Sequence, residues 1–191
     1  MNTLVVFARE PVMGRAKTRL AAGIGVVHAH RLYRAMVGRV LREVGHDSRW
    51  RTVIAVAPDR AVGHPDWRGF AQVGQVTGSL SPRLHRALNM GGSVCVIGTD
   101  CPEVRRRDVW EAFRRLRDCE LVLGPADDGG FWLIGARGVR EAQFEGVRWS
   151  TEHALADVAE RAEGEVGYLR TLVDVDDVDA LREVRRRGSR V

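Results

Sequence analysis

Two kinds of side chain recur where this chain would be leaving a strand. Aspartates follow three apolar runs: Asp100 in S-V-C-V-I-G-T-D-C-P (93–102), Asp127 and Asp128 in G-P-A-D-D-G-G (124–130), and Asp174 and Asp176 in D-V-D-D-V-D (174–179). Cations gather after another, in R-E-P-V-M-G-R-A-K-T-R-L (9–20), which carries Arg9, Arg15, Lys17 and Arg19. Lys17 is the only lysine among 30 basic side chains, which singles out that loop. Carboxylate oxygens suit Mg2+ (or Mn2+), an ion that commonly shares its coordination with substrate phosphates. Lysine and arginine beside a glycine suit the phosphates themselves. Set opposite each other, the two groups fit transfer at phosphorus or at a nucleotide-activated sugar, where catalysis is largely positioning and charge neutralisation.

Each feature also has a plainer reading. Asp100 could cap a turn before Pro102, residues 124–130 could be a simple hairpin, and aspartates favour helix starts in any protein. Residues 9–20 could be a basic surface loop, and G-x-x-K falls short of the G-x-x-x-x-G-K-[ST] phosphate loop. The acidic run at 174–179 lacks the glycine and distal glutamate of a calcium loop. No Ser-His-Asp layout or dinucleotide glycine fingerprint competes.

The elements that would position these residues follow from periodicity. Short, unbroken, β-branched runs at 4–8, 52–57, 94–97, 121–123 and 169–173 read as buried strands. Helical spacing marks 26–44, 81–90, 107–117 and 178–187, and a further helix opens near 149–152 with Ser150 or Thr151 at its N-cap. Alternating strands and helices give an α/β three-layer sandwich with a mostly parallel central sheet. Strands 4–8, 52–57 and 94–97 are expected as neighbours, so that their carboxyl ends open on one crevice. Asp100, Asp174 and Asp176 should converge there on one ion, with Lys17 across from them on the donor phosphates.

Composition sets the remaining bounds. The 191 residues, 45% of them hydrophobic, suit one folded domain, and the 6 prolines argue against disorder. No apolar run approaches a membrane span, and no leader-like pattern precedes the first strand. The three cysteines form no C-x-x-C and read as reduced thiols, so a cytoplasmic protein is expected. The charge of +5 invites a nucleic-acid reading. Arginine is nevertheless spread over most helices without aromatic interleaving, so nucleic acid ranks well below a small-molecule partner.

In five motifs, taken in order, the sequence resembles a family with the nucleotide-diphospho-sugar transferase (GT-A, Rossmann-like) fold. These are F-A-R-E-P-V-M-G-R-A-K-T-R-L, G-T-D-C-P, G-P-A-D-D-G-G-F-W-L-I-G, W-S-T-E and the closing D-V-D. Members of that family are described as transferases associated with radical-SAM or selenium-related domains, or as arsenosugar-type glycosyltransferases. A more distant similarity is to the 2-phospholactate and molybdenum-cofactor guanylyltransferases. The resemblance implies a nucleotide and a divalent metal in the crevice. It gives the metal to Asp100 with Asp174 and Asp176, and the phosphate side to Arg9, Gly14, Lys17 and Arg19. Asp128, Gly129 and Gly130 match the family's D-G-G, and Lys17, Asp100 and Asp128 become the catalytic candidates. The chain departs from the family's G-D-L-G-x-R at Ser79 and Ser81, and from D-x-D-T-x-x-D-L at Asp177 and Ala180.

The expectation is therefore a Mg-dependent transferase with a nucleotide donor and a small acceptor. A Lys/Arg loop suited to a triphosphate tilts it towards nucleotidyl transfer onto a phosphorylated acceptor. Glycosyl transfer from a nucleotide-diphospho-sugar is the alternative. The departures motivate a third reading, a non-catalytic nucleotide-binding module.

Overall fold

The computed structural model describes residues 1–188. Seven strands form one sheet in the order β3-β2-β1-β4-β6-β5-β7. These are β1 (Thr3–Arg9), β2 (Arg51–Ala57), β3 (Ala71–Gly74), β4 (Val94–Ile97), β5 (Leu121–Pro125), β6 (Phe131–Ala136) and β7 (Val166–Tyr168). The pairs β3–β2, β2–β1, β1–β4 and β5–β7 are parallel, while β6 runs antiparallel to both β4 and β5. The three strands expected as neighbours are neighbours, and the α/β architecture is the one anticipated.

Alternation along β1 explains the layering. Leu4, Val6 and Ala8 pack into a cluster with Val37, Val40, Val109 and Phe113, from α2 (Val26–Val44) and α4 (Arg106–Arg115). Val5 points the other way, into a cluster with Leu84 and Leu88 of α3 (Leu80–Leu88) and Val158 of α5 (Ala154–Glu160). Side chains on a strand alternate between faces, so an unbroken apolar run must be covered on both. A third cluster joins α1 (Thr18–Ile24), α2 and α6 (Val178–Arg186) through Leu20, Met36, Val175 and Leu181. At Gly23 of α1 a Cβ would stand 2.3 Å from Val178 Cγ2, so α1 and α6 can meet this closely only through glycine.

Four local expectations need correction. Residues 169–173 are not a ladder strand. β7 lies just before them, and only an isolated Ala126–Leu172 bridge continues it. The register of β5 shifts at Gly124/Pro125, and a proline offers no N–H to extend a ladder. The first loop is shorter than 9–20 because Thr18–Leu20 already belong to α1. The helix expected from 149–152 starts at Ala154, with His153 at its cap. Ser150 is left-handed (φ 61°), and Thr151 Oγ1 instead accepts from His153 N–H at 3.3 Å. Finally, edge strand β3 lay inside a stretch that looked irregular, since A-Q-V-G holds only one large apolar residue. Among the described residues no helix is long and apolar enough to cross a membrane.

Candidate functional site

A crevice of about 600 Å³ opens at the carboxyl ends of β1 and β4. Open α/β sheets place ligands at this edge. The reversal of β6 turns the β5–β6 hairpin tip to the same edge, so the plain hairpin and the carboxylates at a strand end coexist.

Backbone hydrogen bonds draw the distant aspartates together. Val175 N–H donates to Asp100 O at 3.0 Å, which fastens the acidic segment to the exit of β4. Asp174 N–H donates to Asp127 Oδ1 at 3.0 Å, which fastens it to the hairpin tip. Asp177 caps α6 by accepting from Ala180 N–H at 2.9 Å, so its carboxylate is engaged away from the cluster.

Lys17 completes the cluster. Its Nζ lies 2.8 Å from Asp100 Oδ1, 2.6 Å from Asp176 Oδ1 and 3.8 Å from Asp174 Oδ1, and its side chain is only 4% exposed. The three aspartates converge on the Lys17 ammonium, which sits among them rather than across the crevice. It is also not the exposed loop residue that its sequence context suggests. Its backbone is left-handed (φ 55°, ψ 49°), unusual for a residue with a Cβ. Strain of this kind persists where the surroundings over-determine it, as this ion cluster does.

Three carboxylates crowd around one ammonium, more than its single charge can balance. Burial alone would disfavour the charged ammonium, but Asp100, Asp174 and Asp176 outweigh it and raise the Lys17 pKa above its ordinary value. Asp174 is pushed the other way for a carboxylate. Burial and then the charge on Asp100 raise its pKa well above the usual range, against the pull of Lys17. Asp174 Oδ1 is buried and accepts no hydrogen bond.

The donor set suits a hard divalent cation: carboxylate oxygens, one of them buried and accepting no hydrogen bond, outnumbering the ammonium three to one. As arranged, the ammonium fills the space between them. Among the described residues no group of three or more His, Cys, Asp or Glu side chains is set to enclose an ion.

The other predicted residues divide. Arg9, Lys17, Arg19, Asp100 and Asp176 line the crevice, as does Arg15. Arg9 is fixed through its backbone, whose N–H donates to Tyr33 Oη at 2.8 Å while the Tyr33 hydroxyl donates to Arg9 O at 2.7 Å. Burial drives the Tyr33 hydroxyl's pKa up to about 12. Arg19 is largely exposed and reaches Asp176 only at 3.8 Å. Gly14, Asp128, Gly129, Gly130 and Asp174 are not part of the lining, and Asp174 meets the cluster through its 3.8 Å approach to Lys17. Asp128 is exposed at the hairpin tip, where its Oδ1 accepts from Gly130 N–H at 2.9 Å. Gly129 has φ 84°, and a Cβ there would lie 2.3 Å from Glu152 O, so backbone crowding accounts for this glycine.

Lining residues that the sequence reading did not single out include Tyr33, Gln75 and Arg83. Tyr33 lies within the helical segment 26–44, where its position carries no mark of its own. Gln75 is buried and spans two strands, its Nε2 donating to Ala55 O at 2.7 Å and Ala8 O at 3.2 Å. Arg83 was noticed only within a motif, and it lines the crevice wall formed by α3.

Sheet order, edge and crevice together define a nucleotide-diphospho-sugar transferase-like, Rossmann-like α/β fold. The chain belongs to the bacterial family described as "Uncharacterized protein conserved in bacteria (DUF2064)", matched over residues 40–151. Among solved structures it is similar to a candidate nucleotide-diphospho-sugar transferase from Desulfovibrio desulfuricans G20. The two share 27% identity with a TM-score of 0.89, over 98% of this chain and 87% of that one. Two more distant structures share the fold. CMP:2-keto-3-deoxy-manno-octonic acid synthetase complexed with CTP matches at 12% identity and TM-score 0.61, over 98% of both chains. Rv0371c of Mycobacterium tuberculosis H37Rv, solved with manganese, matches at 16% identity and TM-score 0.56, over 96% of this chain and 97% of that one. No curated protein matches the chain.

Proposed function

We propose that this protein is a divalent-metal-dependent transferase with a nucleotide donor, acting by nucleotidyl transfer onto a small phosphorylated acceptor. The observation that carries the reading is the cluster of Lys17, Asp100, Asp174 and Asp176 beside Arg9, Arg15 and Arg19 at the rim of one crevice. Asp100, Asp174 and Asp176 would hold Mg2+ or Mn2+, which supplies charge neutralisation at the phosphates when bound. The ammonium of Lys17 would face the phosphate oxygens, and Arg9, Arg15 and Arg19 would add charge along a triphosphate. Gln75 and Tyr33 keep the ends of β1 and β2 fixed beneath the donor. Asp128, at the hairpin tip on the same edge, is the candidate to meet the acceptor. A structurally similar synthetase binds CTP and another similar protein binds manganese, and both agree with this assignment.

Glycosyl transfer from a nucleotide-diphospho-sugar is the second reading. It is favoured by the 27% identity to a candidate transferase of that class. Thermal-shift measurement with the four NTPs and common nucleotide-sugars, with and without Mn2+, tests both. Stabilisation by an NTP, followed by pyrophosphate release on adding phosphorylated acceptors, supports the first. Stabilisation by nucleotide-sugars alone supports the second, and no response to either class defeats both.

A further inference from the structure

On the α3 face of the sheet the crevice wall is apolar, lined by Phe7, Leu80, Val96, Phe131 and Ile134. Phe7, Leu80 and Phe131 are only half-buried there. Into this apolar wall comes Arg83, on the second turn of α3. Its Nε is buried and makes no hydrogen bond, and among the described residues no carboxylate pairs with its guanidinium.

Elsewhere in the chain, guanidiniums are forked onto buried carboxylates. Arg148 grips Asp157 through Nε and Nη2 at 2.9 and 2.7 Å, and Arg170 grips Asp108 at the same two distances. A buried N–H without an acceptor is costly, and a guanidinium forks naturally onto carboxylate or phosphate oxygens. The triphosphate side already has Arg9, Arg15, Arg19 and Lys17. A separate cation over apolar surface therefore implies a second, separate anion.

We propose that Arg83 anchors a carboxylate or phosphate of the acceptor, a small molecule whose apolar body lies against Phe7, Leu80 and Phe131. This rests on the transferase reading and gives it an acceptor class.

Phenyl phosphate and benzoate imitate the two anion sources on one apolar body, and benzyl alcohol is the neutral control. Calorimetry on the full chain without metal should show saturable binding of at least one anion and none of the alcohol, and the stronger anion names the source. Arg83→Met should weaken that binding at least tenfold, and Arg83→Lys should recover part of it. Arg114→Ala, at an exposed arginine of α4 outside the crevice, should leave it within twofold. Melting temperatures and amide spectra of both Arg83 variants check that they fold. Equal affinity in Arg83→Met, no saturable binding of either anion by the parent, or an equal loss in Arg114→Ala would each overturn the proposal. So would a loss of NTP binding in Arg83→Met, since Arg83 would then serve the donor. If the parent binds phenyl phosphate through Arg83 but no nucleotide with Mn2+, the transferase reading and the acceptor role fall together while the anion contact stands.

Discussion

Two sets of acidic side chains in this molecule obey different charge balances. Asp108 and Asp157 are among its most buried carboxylates, at 7% and 4% exposure. Each has its own guanidinium and a backbone donor: Arg170 and Arg105 N–H for Asp108, Arg148 and its own N–H for Asp157. Those bonds hold the Asp157 pKa far below the ordinary carboxylate value. At the crevice, three aspartates share a single ammonium, and Asp174 is displaced the opposite way. One-to-one pairing closes a structure, whereas a three-to-one ratio leaves charge for something to join.

The largest expected effect tests that surplus directly. Asp100→Asn should abolish Mn2+-dependent nucleotide binding by calorimetry while preserving or raising the metal-free melting temperature, because it relieves like-charge crowding. If the variant binds as the parent does, the cluster is a structural ion network like the other set.

Lys17→Ala comes next. Removing the ammonium strands three carboxylates, so the metal-free melting temperature should drop by several degrees. Added Mn2+ should restore more of it than it adds to the parent. Nucleotide binding should fall about tenfold or more, as for the loss of a charge-assisted contact. Unchanged stability would mean that the ammonium does not neutralise the cluster.

Asp157→Asn should lower the melting temperature without touching nucleotide binding, which separates the two sets in one variant. It should also flatten the acid limb of stability. A carboxylate whose folded pKa lies below its unfolded value stabilises above the unfolded value, and that stabilisation fades as the pH falls through the folded one. The parent should thus lose stability below about pH 4, the ordinary aspartate range, and Asp157→Asn should lose less there. Urea midpoints between pH 2 and pH 7 measure the difference.

The smallest effect belongs to Arg19→Ala. Exposed and 3.8 Å from Asp176, Arg19 should contribute less than about 0.5 kcal/mol to stability, because such pairs are screened and entropically costly. A larger change in chemical unfolding would show that Asp176 depends on two cations.

The sequence made some of this legible for physical reasons. Burial on both sheet faces demands continuous apolar runs, so β1, β2 and β4 stood out, and the aspartates after β4 and before α6 marked the open edge. The paired location of Lys17 did not show, since a loop's path is set by long-range contacts such as those binding Asp174 and Asp127. Nor could the role of Arg83 be read. An arginine at a helical position looks the same whether it meets water, a carboxylate or nothing at all. Ser81 is a similar case. It replaces the resembling family's glycine, and its hydroxyl donates to Phe144 O at 3.2 Å and accepts from Trp149 Nε1 at 2.9 Å. The departure is thus used in packing.

Lys17, buried in the cluster, is the only lysine in 191 residues otherwise charged with arginine. Isotope-labelled lysine would enter this chain at one place. A single ammonium resonance would then report on the crevice, with no assignment problem and no surface background. Its chemical shift and exchange rate would follow each added ion, nucleotide or acceptor in turn, in a protein that needs no mutation to carry the probe.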